Sequence, residues 1–392
     1  MHLIDTNVNR TNPNDVKWGV TKDDPDLLPM TVADMDIATP AFIRDAMQNL
    51  INQKVLGYVI PSTTLYDAFI HWQKVYHGVS LTREQLILIP SVAVGLSFVL
   101  RYLTDVGDGV IVMSPYYPPY QTLIKSNQRQ FIDFPLIQRD GQYVIDFKRL
   151  EQRMDTSKAK AILVCNPHNP GGRVWTNTEL QRIHELANER GMLVIADEIH
   201  DDTVYSDNQP VSMLSDLMGE DAASQTVLLK SATKAFNLAG VKTAFLATKN
   251  TQILGKLKQA ATAEAIEEVN TFGLVATRTA YEQGESWLKE VNAYLEGNRD
   301  FAYQYLREHI PMIRPMYPEG TYLMWLDFMA YGFSDQELDA KLRSLGHIAL
   351  NPGIDYGKAG SGFMRLNFAV DRNVLKDALH RLESFDKAVK AN

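Results

Sequence analysis

Five short apolar runs, separated by amphipathic stretches, restrict the fold of this chain more than any other feature. They are 109-GVIVMS-114, 160-KAILVCN-166, 191-GMLVIAD-197, 226-TVLLKS-231 and 243-TAFLAT-248. Each is rich in aliphatic or β-branched residues and nearly unbroken by polar ones, the pattern of strands covered on both faces. Between the second and third lies 177-NTELQRIHELANERG-191, where Leu180, Ile183, Leu186 and Ala187 recur at helical spacing. Gly191 stands where such a helix would stop. Strand, helix and strand in about thirty residues make a βαβ unit. An α/β fold follows, with a largely parallel sheet between helices.

The flanks read differently. The start of the chain looks like an irregular arm with a helix from about Thr39 to Asn52. Beyond residue 285 the pattern is long helix, strand (321-TYLMWLDF-328), helix, strand (364-MRLNFA-369) and helix. The expected division is an arm with part of a small domain (1–53), a large domain (54–282), and the C-terminal part of a small α+β domain (283–392).

Composition removes whole classes of function. Among 392 residues, 39 lysines and arginines face 47 aspartates and glutamates, a net charge of −8. That balance argues against a nucleic-acid surface, which needs a basic excess or stripe. The single cysteine, Cys165, excludes an internal disulfide and a site built from several thiolates, and no metal is expected. The start, MHLIDTNVNRTNPND, has neither the basic residues nor the apolar core of a secretory signal. Leu86 to Leu100 is too short to span a bilayer and is broken by Pro90. A cytoplasmic protein of enzyme size is expected, with no membrane partner.

In open α/β sheets ligands gather outside the carboxyl ends of the strands. Those ends carry Ser91, Tyr116–Tyr117, Asn166–Asn169, Asp197 and Ser231–Lys234. An acid, a lysine, tyrosines, asparagines and small hydroxyls thus fall on one rim. In 230-KSATKAFNLAG-240, two hydroxyls and loop amides suit a phosphate, and Lys234 suits a phosphate or covalent attachment of a carbonyl group. Lys230, at a strand end, is expected to point to solvent. Asp197 is either a helix cap or a carboxylate kept ionised against a cation in a poorly solvated site. The loop 165-CNPHNPGG-172 is a tight turn in which Asn169 could reach a ligand, and Cys165 reads as core. Ser91, Val92 and Ala93 open an apolar helix whose free amides suit an anion. One tyrosine of 114-SPYYPPY-120 could stack on a flat ring.

With these residues in place, the chain resembles fold-type I pyridoxal-phosphate enzymes of the class I/II aminotransferase superfamily. It is most similar there to the MalY/PatB group of cystathionine β-lyase-like carbon–sulfur lyases. The likeness spans 32-VADMDIATP-40, 57-GYV-59, 114-SPYYPPY-120, 165-CNPHNPGG-172, 196-ADEIHDD-202, 231-SATKAFNLAG-240, 319-EGTYLMWLD-327, 352-PGIDYG-357 and 362-GFMRLNFA-369. The resemblance implies a mostly parallel seven-stranded sheet in the large domain, pyridoxal 5′-phosphate as cofactor, and a homodimer with shared active sites.

It also implies roles. Lys234 would bind the cofactor covalently and later move the substrate's Cα proton. Asp197 would pair with the pyridine nitrogen. Asn169 would bond the ring's phenolic oxygen and approach the substrate, and Tyr117 would stack on the ring. His200 takes a place where many aminotransferases have tyrosine. Val92, Ala93, Ser231 and Thr233 would hold the phosphate, with Tyr58 reaching over from a second subunit. Arg365 would grip the substrate's α-carboxylate with its fork. Lys242 stands where many aminotransferases have a phosphate-binding arginine; it keeps the charge but loses the fork. The expected reaction is β-elimination from cystathionine or a related cysteine S-conjugate, giving a thiol, pyruvate and ammonia. The alternatives are an aminotransferase on the same scaffold and a non-catalytic ligand-sensing regulator. Neither chain end supplies the DNA-binding segment that a regulator would need.

Overall fold

Seven strands form the central sheet of the computed structural model, which describes residues 3–391 apart from 11, 13 and 220–222. They are β1 (Leu86–Ile89), β2 (Gly109–Ser114), β3 (Gln130–Pro135), β4 (Ala159–Cys165), β5 (Leu193–Asp197), β6 (Thr226–Lys230) and β7 (Ala244–Ala247). Side by side they run β1-β7-β6-β5-β4-β2-β3. All neighbours from β6 to β3 are parallel, whereas β7 is antiparallel to both β6 and β1. The run at 243–248 resembles its neighbours in composition because burial, not direction, sets composition. Direction is set by the connection. Residues 231–243 make a polar turn and one short 3-10 turn (Ala239–Val241), not the crossover helix that a parallel return requires.

Alternation along the strands splits the apolar residues between two cores. Ile87, Val110, Leu163, Ile195 and Leu229 face one side, under the helices α1 (Val92–Leu103) and α3 (Thr251–Glu264). Leu88, Ile111, Ile162, Val194 and Leu228 face the other, where α2 (Asn177–Asn188) packs. Thr176 opens α2 with a reciprocal capping box to Glu179. The helix ends three residues before Gly191, which takes φ +58° and turns the chain into β5.

A second sheet, built from β8 (Arg314–Pro315), β9 (Leu323–Asp327), β10 (Asn351–Pro352) and β11 (Phe363–Asn367), runs β8-β9-β11-β10 with every pairing antiparallel. The N-terminal segment lies across the seam between the sheets. Leu28–Pro29 pairs in parallel with Ile348–Ala349. Asn367 Nδ2 then donates to the carbonyls of Val32 (2.7 Å) and Asp34 (2.6 Å). From the other side, Asn237 Nδ2 donates to the carbonyls of Met35 and Ile37, at 2.9 and 2.7 Å. Residues 32–37 are thereby a strap fastened to both halves. Among the described residues, no helix is long and apolar enough to cross a membrane.

Gly172 makes a second fastening. It has φ +70°, and its carbonyl accepts from the amides of Glu319 (2.8 Å) and Gly320 (3.0 Å). A Cβ there would stand 2.8 Å from the Cα of Pro318. Gly172→Ala is therefore expected to cost about 2–3 kcal/mol, from left-handed strain plus a backbone clash. The measurement is the urea midpoint; a value equal to wild type contradicts the account.

Candidate active site

A cavity of about 380 Å³ opens at the carboxyl ends of β1, β4, β5 and β6. Eleven of the twelve site residues expected from sequence line it, and Tyr58 is the exception. Tyr58 is fully exposed, in a segment without regular secondary structure whose Val55, Leu56 and Ile60 are exposed as well.

Asp197 ends β5 at 4 % exposure. Its Oδ2 accepts from the Tyr120 hydroxyl at 2.6 Å and its Oδ1 from the Ile199 amide at 3.1 Å. Burial pushes the carboxyl above its ordinary value, against the pull of those two hydrogen bonds and of Lys234. Among the described residues no cation stands within ion-pairing distance of it. Tyr120, not Tyr117, is its partner. Tyr117 is partly exposed on the cavity wall, edge-on to Tyr120 with centroids 5.4 Å apart. Nothing in SPYYPPY tells the rings apart; the short helix Pro119–Ser126 turns Tyr120 inward.

Lys234 Nζ donates to the Ala33 carbonyl at 2.6 Å. Burial lowers its pKa to about 8, helped by the positive charges of Arg365 and Lys242 and opposed by Asp34 and Asp197. The Ala33 carbonyl also accepts from the Tyr322 hydroxyl at 3.0 Å. It is presented by the strap, where Val32 takes φ +55°, a conformation a β-branched residue adopts only under outside constraint. That constraint is visible. Arg10 donates to Asp34 Oδ1 and Asp36 Oδ1, each at 2.9 Å, and the fully buried Lys17 donates to Asp36 at 2.8 Å. Sequence reading missed these arm residues, because nothing local pairs an arginine with carboxylates some two dozen positions away.

Arg365 lies on β11 at 4 % exposure. Its Nη1 donates to Asn169 Oδ1 at 3.0 Å and its Nη2 to Asn351 Oδ1 at 2.9 Å. The Tyr356 ring lies beneath it, 5.0 Å from Cζ. Asn351 Oδ1 also accepts from the Val32 amide at 3.2 Å, tying the arginine to the strap. Asn166, the other asparagine of its loop, serves structure: it bonds the Val211 carbonyl and the Trp175 amide.

The end of the cavity suited to an anion is built by α1. Ser91 Oγ accepts from the Val94 amide at 3.2 Å, which leaves the amides of Val92 and Ala93 without an intrahelical acceptor. Thr233 and Lys242 border the same cavity. Ser231 is less free than expected. Its hydroxyl donates to the Thr243 carbonyl at 2.6 Å, so it must reorient to donate to a ligand. His200 is buried with Nδ1 unpartnered among the described residues, and burial holds its ring well below the ordinary imidazole range. Cys165 borders the cavity too, but burial pushes its thiol up to about 12, which disfavours a nucleophile. Lys230 does not point to solvent as expected; it is fully buried and ion-paired to Asp201.

In the cofactor-free protein, labelling of Lys234 by an amine reagent should be half-maximal near pH 8, the value to which burial lowers it. Arg365→Met should move that midpoint upward by removing a neighbouring positive charge. A midpoint near the ordinary lysine value of about 10.4 would contradict the burial argument.

The chain matches the family model "Aminotransferase class I and II" over residues 25–382. It is 34% identical over 390 residues to the cystathionine beta-lyase PatB of Bacillus subtilis, covering 97% of this chain and 99% of that one. Among solved structures it is similar to cystalysin from Treponema denticola, which contains a pyridoxal 5′-phosphate cofactor. The TM-score is 0.93, at 29% identity and 98% coverage of both chains. A PLP-bound C–S lyase from Staphylococcus hominis superposes with a TM-score of 0.89, at 28% identity and 96% and 97% coverage. The chain therefore belongs to the class I and II aminotransferase family, in the fold of pyridoxal-phosphate enzymes.

Proposed function

We propose that this chain is a pyridoxal-phosphate-dependent carbon–sulfur β-lyase acting on cystathionine or related cysteine S-conjugates. The observation that carries the reading is one buried cavity in which Asp197, Lys234 and Arg365 each lack an ionic partner among the described residues. The relative named cystathionine beta-lyase at 34% identity supports the choice of elimination over amino transfer.

The residues fit the cofactor. A buried carboxylate without a cation suits a protonated ring nitrogen, and the α1 amides with Thr233, Ser231 and Lys242 suit a phosphate. Asn169 and His200 would flank the phenolic oxygen and Tyr117 would cover the ring. When bound, pyridoxal phosphate supplies an aldehyde for the substrate's amino group and a cationic ring that draws electrons from Cα.

This chain's residues do the rest. Arg365, already aimed by Asn169 and Asn351, would take the α-carboxylate in a bidentate pair. Burial holds Lys234 below the ordinary lysine range, which favours the neutral amine, and its Nζ would remove the Cα proton. The Cα–H and Cβ–S bonds break, and the sulfur leaves as a thiolate that takes up a proton. Such a leaving group is a weak base, since a cysteine-type thiol has a pKa of about 8.5. The three-carbon enamine left behind takes up one water and yields pyruvate and ammonia.

The exposed run at Val55–Ile60 supports a homodimer in which Tyr58 reaches the partner's phosphate site. The two sheets support the division into 1–53, 54–282 and 283–392. A single cysteine, buried as a free thiol, fits a cytoplasmic protein.

Cystathionine alone should give pyruvate and free thiol over many turnovers, with no keto acid added. A single burst, with turnover restored only by a keto acid, would identify an aminotransferase instead. Asp197→Asn should fold and still bind cofactor but lose at least about tenfold in kcat, the effect of one pKa unit at the ring nitrogen. Unchanged turnover in that loaded variant would refute the role given to Asp197.

A further inference from the structure

Behind the cavity, on the opposite side of β6, lies a buried cluster of charges that the proposed reaction does not use. Lys230 ends β6 at 0 % exposure, and its Nζ contacts Asp201 Oδ2 and lies 3.9 Å from Asp202 Oδ1. His77 stands behind both acids, with Nε2 2.7 Å from Asp202 and Nδ1 3.2 Å from Asp201. Trp72 Nε1 donates to Asp202 Oδ1 at 2.8 Å. Burial pushes the Asp201 carboxyl up to about 7, opposed by His77 and Lys230.

The placement of the cluster matters. β5 and β6 are hydrogen-bonded up to the bond from the Glu198 amide to the Leu229 carbonyl, at 3.1 Å. The two strands then part into turns, and each turn carries part of the site: His200 on one, just after the strand-end Asp197, and Ser231 to Lys234 on the other. Past that bond, no backbone hydrogen bond joins 199–203 to 231–238 among the described residues. The Lys230–Asp201 contact is the next link between them. Stability alone is a weak reason for such a pair, since a buried ion pair is often replaceable by apolar residues without loss.

We propose that Lys230 is a positioning residue, a buried ionic latch with Asp201 and Asp202 that fixes the 199–203 turn, which carries His200, against the Ser231–Lys234 turn. The kinetic part of this inference rests on the lyase reading; the structural part does not. Lys230→Met alone leaves Asp201 buried without its cation and is free to misfold. Lys230→Met combined with Asp201→Asn removes both charges at nearly constant shape.

In the purified double variant, amide hydrogen exchange at 199–203 should quicken about tenfold or more, with the thermal midpoint close to wild type. With cystathionine, kcat should fall about a hundredfold while KM stays within about twofold, as expected for reacting groups displaced by about 1 Å. A cavity of about 390 Å³ lined by Trp72, His77, Asp201 and Asp202 offers a small amine a way in. Ethylammonium should therefore restore part of the kcat of Lys230→Ala where that variant is folded and cofactor-loaded, and no restoration in such a folded protein counts against the latch. A folded double variant with wild-type exchange at 199–203 overturns the latch outright. Because exchange is read without substrate, it decides the latch even if wild type releases no pyruvate, an outcome that would sink only the lyase reading.

Discussion

Three of the charged groups that line one cavity, Asp197, Lys234 and Arg365, are each held by neutral hydrogen-bond partners instead of by another charge. Asp197 is held by a tyrosine hydroxyl and an amide, Lys234 by a backbone carbonyl, and Arg365 by two asparagine oxygens. Burying an ion without a counter-ion costs several kcal/mol even after relaxation. Had these groups been neighbours, they would have paired and cancelled. Kept apart, each retains most of its electrostatic capacity for a ligand that brings a cation, a carbonyl carbon and a carboxylate. Preorganised charge in a water-poor site is the largest single resource most enzymes have.

Much of the remaining architecture keeps those groups apart. The parallel strands deliver Asp197 and the Ser231–Lys234 turn to one rim, separated by the spacing of neighbouring strands. Arg365 arrives from the other sheet, so its distance from Lys234 depends on how the two sheets are fastened. The strap at 32–37 does this fastening, and its left-handed Val32 is held by Asn351 and Asn367 on one side, with Asn237 gripping Met35 and Ile37 on the other. Arg10 and Lys17 lock the strap's acids in turn. A disturbance in the N-terminal arm is thus carried to the Ala33 carbonyl on which Lys234 rests.

The strands and the rim were legible in the sequence because burial on both faces writes unbroken apolar runs, and strand ends then name the candidate residues. Lys234, Asp197 and Asn169 came from that logic together with the resemblance, and Arg365 from the resemblance alone. What stayed hidden depends on direction or distance. The antiparallel course of β7 leaves no compositional trace. Tyr120 could not be told from Tyr116 or Tyr117, since only the turn of a short helix selects it. Lys230 read as solvent-facing because its partners, Asp201 and Asp202, lie on another strand's loop. Asn351 and Arg10 act across long sequence separations that no local pattern records.

The central claim is that, of the two lysines lining this cavity, Lys234 and not Lys242 is the group to which the cofactor's aldehyde attaches. Borohydride reduction of the cofactor-loaded protein, followed by peptide mapping, tests it most directly. The account predicts one reduced cofactor per chain, on Lys234. An adduct on Lys230 or Lys242, or a loaded protein in which no lysine is modified, would contradict it.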